Sequence, residues 1–240
     1  MSLGILFPGQ GSQSIGMLKD LKSSFKVVSE IFEEASDYLS CDLWKITKNG
    51  PESKINDTEF TQPIMLCSAF SVWKIWNDEG GEKPIFLAGH SFGEYTALCA
   101  SEALKFKDAV KLVKKRAECM KAAPEGVMAA IIGIDYDNLK SVYDDNKLTE
   151  VSIANINAPG QIVISGTESG VKELSDLAML KKAKKIIPLP VSVASHSYLM
   201  QEQSEIFKEF VKNIKISEPL IPVINNVDVK NEKIEKNIKD

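Results

Sequence analysis

The stretch Gly89-His90-Ser91-Phe92-Gly93, set between an apolar run from Pro84 to Ala88 and a helical pattern, constrains this chain more than any other. A buried strand that reaches a glycine, passes a serine and enters a helix at a second glycine does so through a sharp turn. Such a turn lifts the serine oxygen clear, and the small flanking residues keep other side chains away from it. The helix N-terminus behind Ser91 offers backbone donors and a positive dipole end to an oxyanion, and the Phe92 amide is one such donor. The competing reading is a glycine-rich turn without chemistry. Its setting between strand and helix favours the nucleophile.

A serine nucleophile needs a base. The chain has two histidines. His90 sits inside the turn, where its side chain would point elsewhere, which leaves His196 in Ser192-Val193-Ala194-Ser195-His196-Ser197. A lone histidine is more often structural, but the turn requires a base and no competitor remains.

Around this turn the pattern reads as strand, helices, strand, helices. Leu3 to Phe7 is a short buried strand followed by the glycine-rich loop Pro8 to Gln13. Phe25, Val28, Phe32, Ala35 and Leu39 recur at helical spacing. Pro63 to Trp76 is apolar on nearly every side and marks a central helix. Lys107 to Lys121 gives another helix, with Ala109, Val110, Val113, Ala117 and Met120 on one face. This order predicts a parallel sheet flanked by helices, an α/β fold. From Gly126 the elements shorten: strands at Val127 to Ile134, Val151 to Ile156, Gln161 to Ser165 and Ile186 to Pro190, with helices at Asn138 to Asp144 and Val171 to Lys182. Strand-helix-strand-strand-helix-strand is the ferredoxin-like arrangement. A small subdomain at residues 126–190 is therefore expected inside a larger one made of residues 1–125 and 191–240. The larger body resumes with a helix from Tyr198 to Val211 and a strand at Ile221 to Ile224.

Composition narrows the partners. With 240 residues, 44% of them hydrophobic, the chain buries a sizeable core, and a formal charge of −4 leaves no basic excess for nucleic acid. Cys41, Cys67, Cys99 and Cys119 form no C-x-x-C pair, so neither zinc nor a disulfide framework is expected. The run Leu3 to Phe7 is stopped at once by Pro8 and Gly9 and is a strand, not a signal. No run is long and apolar enough for a membrane helix. A cytoplasmic protein without metal follows, and a monomer is expected.

Phe7-Pro8-Gly9-Gln10-Gly11-Ser12-Gln13, Gly89-His90-Ser91-Phe92-Gly93-Glu94-Tyr95, Arg116, Met128-Ala129-Ala130-Ile131 and Asn225-Asn226-Val227-Asp228-Val229 together resemble the malonyl-CoA:acyl carrier protein transacylases of fatty acid synthesis. The similarity runs from Leu3 to Val229 and includes Asp42-Leu43-Trp44, Thr61-Gln62-Pro63 and Asn157-Ala158-Pro159-Gly160-Gln161. It implies a hydrolase-like core with a ferredoxin-like insert. It implies Ser91 as nucleophile, His196 as base, Arg116 as anchor of the malonyl carboxylate, and the Gln10 and Phe92 amides as oxyanion donors. It also suggests that Gln62, Asn155 and Asn157 line the thioester entrance, with turn or capping roles as the alternative. The implied substrates are malonyl-CoA and an acyl carrier protein, with no separate cofactor.

From the residues alone, Lys114-Lys115-Arg116 reads first as a solvated basic face, although an arginine fork suits a carboxylate. The cluster Lys181, Lys182, Lys184 and Lys185 could meet phosphates or an acidic carrier, but a solvated face is the plainer reading. The family continues for several dozen residues past the Asn-Asn-Val-Asp segment, so the C-terminal part of its fold is expected to be missing here. Val229 to Asp240, with only Ile234 and Ile238 to bury, is expected to pack poorly. A hydrolase, and a carrier-binding scaffold with a dead site, are the competing functions.

Overall fold

The computed structural model describes residues 2–191 and 193–231. In chain order the elements are β1 (Gly4–Phe7), α1 (Lys19–Ser24), α2 (Lys26–Leu39), α3 (Leu43–Asn49), α4 (Glu52–Ile55), α5 (Thr58–Asp78), β2 (Phe86–Gly89), α6 (Gly93–Ala100) and α7 (Phe106–Ala122). They continue as β3 (Val127–Ile132), α8 (Tyr136–Asp145), β4 (Val151–Ala158), β5 (Gln161–Gly166), α9 (Glu168–Leu180) and β6 (Lys185–Pro188). A 3₁₀ turn at Tyr198–Met200, α10 (Gln201–Val211) and β7 (Val223–Ile224) follow. The fold is mixed α/β. The chain divides into two compact units, Met1–Glu118 with Phe207–Asp240, and Cys119–Ile206, and the divisions fall within α7 and α10.

In the first unit the strands run in the order β1-β2-β7, all parallel, with Leu6 opposite Ala88 and Ala88 opposite Ile224. Parallel neighbours present their carboxyl ends together, which in α/β sheets is where sites are built. The core of this unit gathers Phe7, Val28, Phe32, Leu66, Leu87, Val110 and Val113. Neither β1 nor β2 is buried on both faces, as the apolar runs suggested. Leu6 is 70% exposed, and Phe86 turns outward over Gly4 while Leu87 is fully buried. The alternation of side chains along a strand explains this.

The helix expected from Pro63 starts five residues earlier. Asp57 caps α5 by accepting from the Glu59 N–H at 3.0 Å, and Pro63, the sixth residue of the helix, brings no N–H to bond back to the Glu59 C=O. The all-round burial expected of this helix holds for Thr61 to Ser68, whereas Val72 and Trp76 remain well exposed. Among the short helices, α3 is also fixed by a cap, with Asp42 accepting from the Lys45 N–H at 2.8 Å.

In the second unit the sheet order is β4-β5-β3-β6, antiparallel throughout. Leu139 and Val142 of α8 and Val171, Leu174 and Ala178 of α9 pack on Ile131, Ile162 and Ile164 of the sheet. Met128, Ala130 and Val163 form a smaller cluster of their own. Both helices begin earlier than their apolar periodicity because polar caps start them. Asp135 accepts from the Asn138 N–H at 2.8 Å, and Thr167 from the Gly170 N–H at 3.1 Å. The single helix expected from Tyr198 divides into the 3₁₀ turn and α10. Of the tail from Val229 to Asp240 expected to pack poorly, Val229 is 75% exposed while Asn231 bridges to Ile224, and residues 232–240, with Ile234 and Ile238, lie outside the described residues.

Candidate active site

Ser91 occupies the turn between β2 and α6 with φ 52°, in the left-handed region that a residue bearing a Cβ normally avoids. Holding it there costs about 1–3 kcal/mol, so the surroundings must over-determine it. Sterics supply part of that. A Cβ on Gly89 would lie 2.0 Å from the Gly93 carbonyl carbon, and one on Gly93 would lie 2.6 Å from the Phe7 carbonyl oxygen. The two glycines therefore let α6 start against the end of β2 and beside β1. The His90 N–H donates to the Phe7 C=O at 2.9 Å, which ties the turn to the neighbouring strand.

Polar contacts supply the rest. The Ser91 N–H donates to Asn226 Oδ1 at 3.1 Å, and Asn226 Nδ2 donates to the Ser91 C=O at 3.3 Å. Asn226 also donates to Glu94 Oε2, from its backbone N–H at 2.8 Å and from Nδ2. Burial raises the Glu94 carboxyl above its ordinary range, and the two bonds from Asn226 oppose that rise.

Arg116, half-buried on α7, reaches the serine directly. Its Nη2 donates to Ser91 Oγ at 3.0 Å and its Nη1 to Gln62 Oε1 at 3.0 Å. Gln62 is fully buried on α5. The neutral Gln62 acceptor thus helps orient the fork. Burial pulls the guanidinium below the usual arginine range and Tyr95 opposes this, yet the group keeps its charge at neutral pH. Tyr95 itself is pushed up to about 12 by burial, an effect that the charge of Arg116 moderates. The neighbouring Lys114 pairs with Glu59, so the basic run on α7 is not a uniform solvated face.

Gln10 lies in the exposed loop after β1, where its Oε1 accepts from the Thr58 hydroxyl at 2.7 Å. Gln13 holds the same loop, donating to Asn56 Oδ1 at 2.8 Å and accepting from the Gly11 N–H at 2.8 Å. Phe92 caps α6 with its ring fully buried. Ser91, Arg116, Gln62, Gln10 and Phe92 all belong to the first unit.

His196, Asn155 and Asn157 belong to the second. His196 is exposed, at φ 59°, just before the 3₁₀ turn. Ser197 Oγ donates to the Ala194 C=O at 2.7 Å and accepts from the Leu199 N–H at 3.3 Å, which braces this turn. Asn155 and Asn157 lie in strand β4 and not in a turn or cap. This strand is at the edge of its sheet, with irregular register at Ile153/Asn155 and Ile156/Ala158. Asn155 is half-buried opposite Val163, and Asn157 is exposed. Lys181, Lys182, Lys184 and Lys185 are exposed after α9 and at the start of β6.

The arrangement around Ser91 offers a serine oxygen on a strained turn, a helix N-terminus for an oxyanion and a cationic fork within hydrogen-bond reach of that oxygen. Such a set is suited to acyl transfer from a donor that carries its own anion. Residues 5–238 match the acyl transferase domain, and the chain belongs to that family. It is 41% identical over 239 residues to the malonyl CoA-acyl carrier protein transacylase of Salmonella typhimurium, covering 98% of this chain and 77% of that protein. The crystal structure of an acyl carrier protein S-malonyltransferase from Vibrio cholerae superposes with a TM-score of 0.96 at 41% identity, over 100% of this chain and 80% of that one. A type II polyketide acyl carrier protein in complex with its malonyl-transacylase gives 0.95 at 40% identity, over 100% and 79%.

Asn226 and Glu94 received no role from the sequence, although both lie in segments that carry the family resemblance. The signal was polar residues directly after a strand. It becomes legible only when β7 is known to neighbour β2, so that residues following Ile224 arrive beside Ser91.

Proposed function

We propose that this chain transfers a malonyl group from malonyl-CoA to the phosphopantetheine thiol of an acyl carrier protein, by a ping-pong mechanism through a malonyl ester on Ser91. One observation carries the reading: Arg116 Nη2 stands 3.0 Å from Ser91 Oγ. A single methylene separates the two carbonyl carbons of a malonyl group. An anchor for its carboxylate must therefore lie within a few bond lengths of the serine oxygen, and Arg116 meets that requirement with a fork suited to two parallel bonds.

In the first half-reaction His196 removes the Ser91 proton as Oγ bonds to the thioester carbon. The Gln10 and Phe92 amides stabilise the oxyanion, the C–S bond breaks, and the proton passes from His196 to the departing coenzyme A sulfur. In the second, His196 takes the proton of the carrier thiol, the sulfur bonds to the ester carbon, and the C–O bond to Ser91 breaks with return of the proton. Gln62 orients Arg116, while Asn155 and Asn157 are assigned to the thioester entrance. No metal or separate cofactor takes part. The same reading makes the protein a cytoplasmic monomer supplying fatty acid synthesis. It treats the second unit as a ferredoxin-like insert spanning about residues 126–190, supported by the sheet order β4-β5-β3-β6 with α8 and α9 packed on it.

Incubation with malonyl-CoA and carrier protein, followed by intact mass of both proteins, tests this. The carrier should gain the malonyl mass at a rate that saturates with both substrates. Release of free malonate at the same rate with or without carrier would make the protein a hydrolase.

A further inference from the structure

The Asn226 side chain follows β7 and meets the nucleophile's own backbone on both sides. Its amide has one possible orientation. The atom facing the Ser91 N–H must accept, and the atom facing the Ser91 C=O and Glu94 Oε2 must donate. Asn226 thereby joins two elements far apart in sequence, the end of β7 and the first turn of α6, across the residue whose φ is 52°. It also consumes the Ser91 N–H, so that the amide left to face a developing oxyanion at this helix start is that of Phe92. Glu94 in turn accepts twice from Asn226, fixing both the backbone and the amide of the clamp. Asn226 is exposed and belongs to no hydrophobic cluster, so packing gives no reason for an asparagine there.

Resting on the transferase reading, we propose that Asn226 is a positioning residue that holds Ser91 in its strained reactive conformation, and that Glu94 sets the orientation of Asn226. The substitution Asn226→Asp keeps the shape but faces the Ser91 C=O and the Glu94 carboxylate with a second acceptor. Adding Glu94→Gln removes the negative charge that faces the introduced carboxylate, but both Asn226 bonds end on the one Glu94 Oε2 and the Ser91 C=O still meets an acceptor, so only part of the loss is restored.

The test uses a fluorophosphonate probe, which phosphonylates an activated serine with loss of fluoride and needs no acyl-CoA. Labelling of Ser91 is timed in wild type, Asn226→Ala, Asn226→Asp and the Asn226→Asp/Glu94→Gln pair, below the melting temperature of each. Displacing a reacting atom by about 1 Å slows reaction on the order of a hundredfold, and that loss is expected for Asn226→Asp. Asn226→Ala should lose roughly tenfold, and the pair should label roughly tenfold faster than Asn226→Asp without reaching wild type. In malonyl transfer kcat should follow the same order while KM for malonyl-CoA stays unchanged. Wild-type labelling in both single variants, or a pair no faster than Asn226→Asp, would overturn the proposal. Labelling of the wild type without malonyl transfer would count against the transferase reading alone, with the order of labelling rates still deciding the role of Asn226. A wild type whose Ser91 does not label at all overturns both.

Discussion

Ser91 and His196 each hold a side-chain-bearing residue in the left-handed region, at φ 52° and 59°, and they are held by different means. At Ser91 the backbone is boxed in by close approaches that only glycine permits, at Gly89 and Gly93, with the Asn226 amide across it. At His196 the turn is braced by small polar groups: Ser197 on the Ala194 C=O, the Ser195 N–H on the Val193 C=O at 2.9 Å, and Ser152 Oγ accepting from the Tyr198 N–H at 3.2 Å. The difference suits the two roles. A nucleophile must stay at a fixed point relative to its oxyanion donors, whereas a base must rotate a ring between two proton acceptors.

The sharpest break of this comparison is removal of the base. His196→Ala should slow acylation of Ser91 by roughly 10²- to 10⁴-fold, the usual contribution of a positioned base, read by quenched-flow mass measurement. An unaltered rate would assign the base elsewhere.

Next in size is Arg116→Ala. A carboxylate left in the pocket without its partner costs about 3–5 kcal/mol, or roughly 150- to 5,000-fold in kcat/KM, for malonyl. Acetyl transfer should be kept or gained, and equal losses for both would reduce Arg116 to a structural residue.

The glycine-boxed turn should be the more fragile of the two when methyls are added. Gly89→Ala forces its Cβ against the Gly93 backbone and should lower stability by about 1–3 kcal/mol, seen as a fall in melting temperature. At the other turn, Ser197→Ala removes one hydroxyl and should cost only about 0.5–1.5 kcal/mol. A larger loss there than at Gly89 would reverse the comparison.

The same contrast explains what could be read from the sequence. Gly89 and Gly93 are written into the turn itself, so Ser91 was legible from five residues and one preceding strand. The parallel sheet was legible because short apolar strands alternate with helices along the chain. Arg116 was not separable from Lys114 and Lys115 by local pattern. Its distinction lies in the direction it takes from α7 toward Gln62 and Ser91, whereas Lys114 turns to Glu59. Asn226 was hidden for a topological reason, because nothing local tells which strand will neighbour β2. Asn155 already lay within the strand expected at Val151 to Ile156, whereas Asn157 lay one residue past its expected end, because asparagine and the following Pro-Gly favour turns. An edge strand with irregular register tolerates it.

The central claim is that an acyl group is carried on Ser91, and peptide mapping of the chain after brief exposure to malonyl-CoA, without carrier protein, tests it most directly. The expected result is one malonyl group on the peptide containing Gly89-His90-Ser91-Phe92-Gly93, fragmenting to Ser91, discharged by carrier thiol and absent from Ser91→Ala. A malonyl group on any other residue, or an adduct that persists in Ser91→Ala, would contradict it.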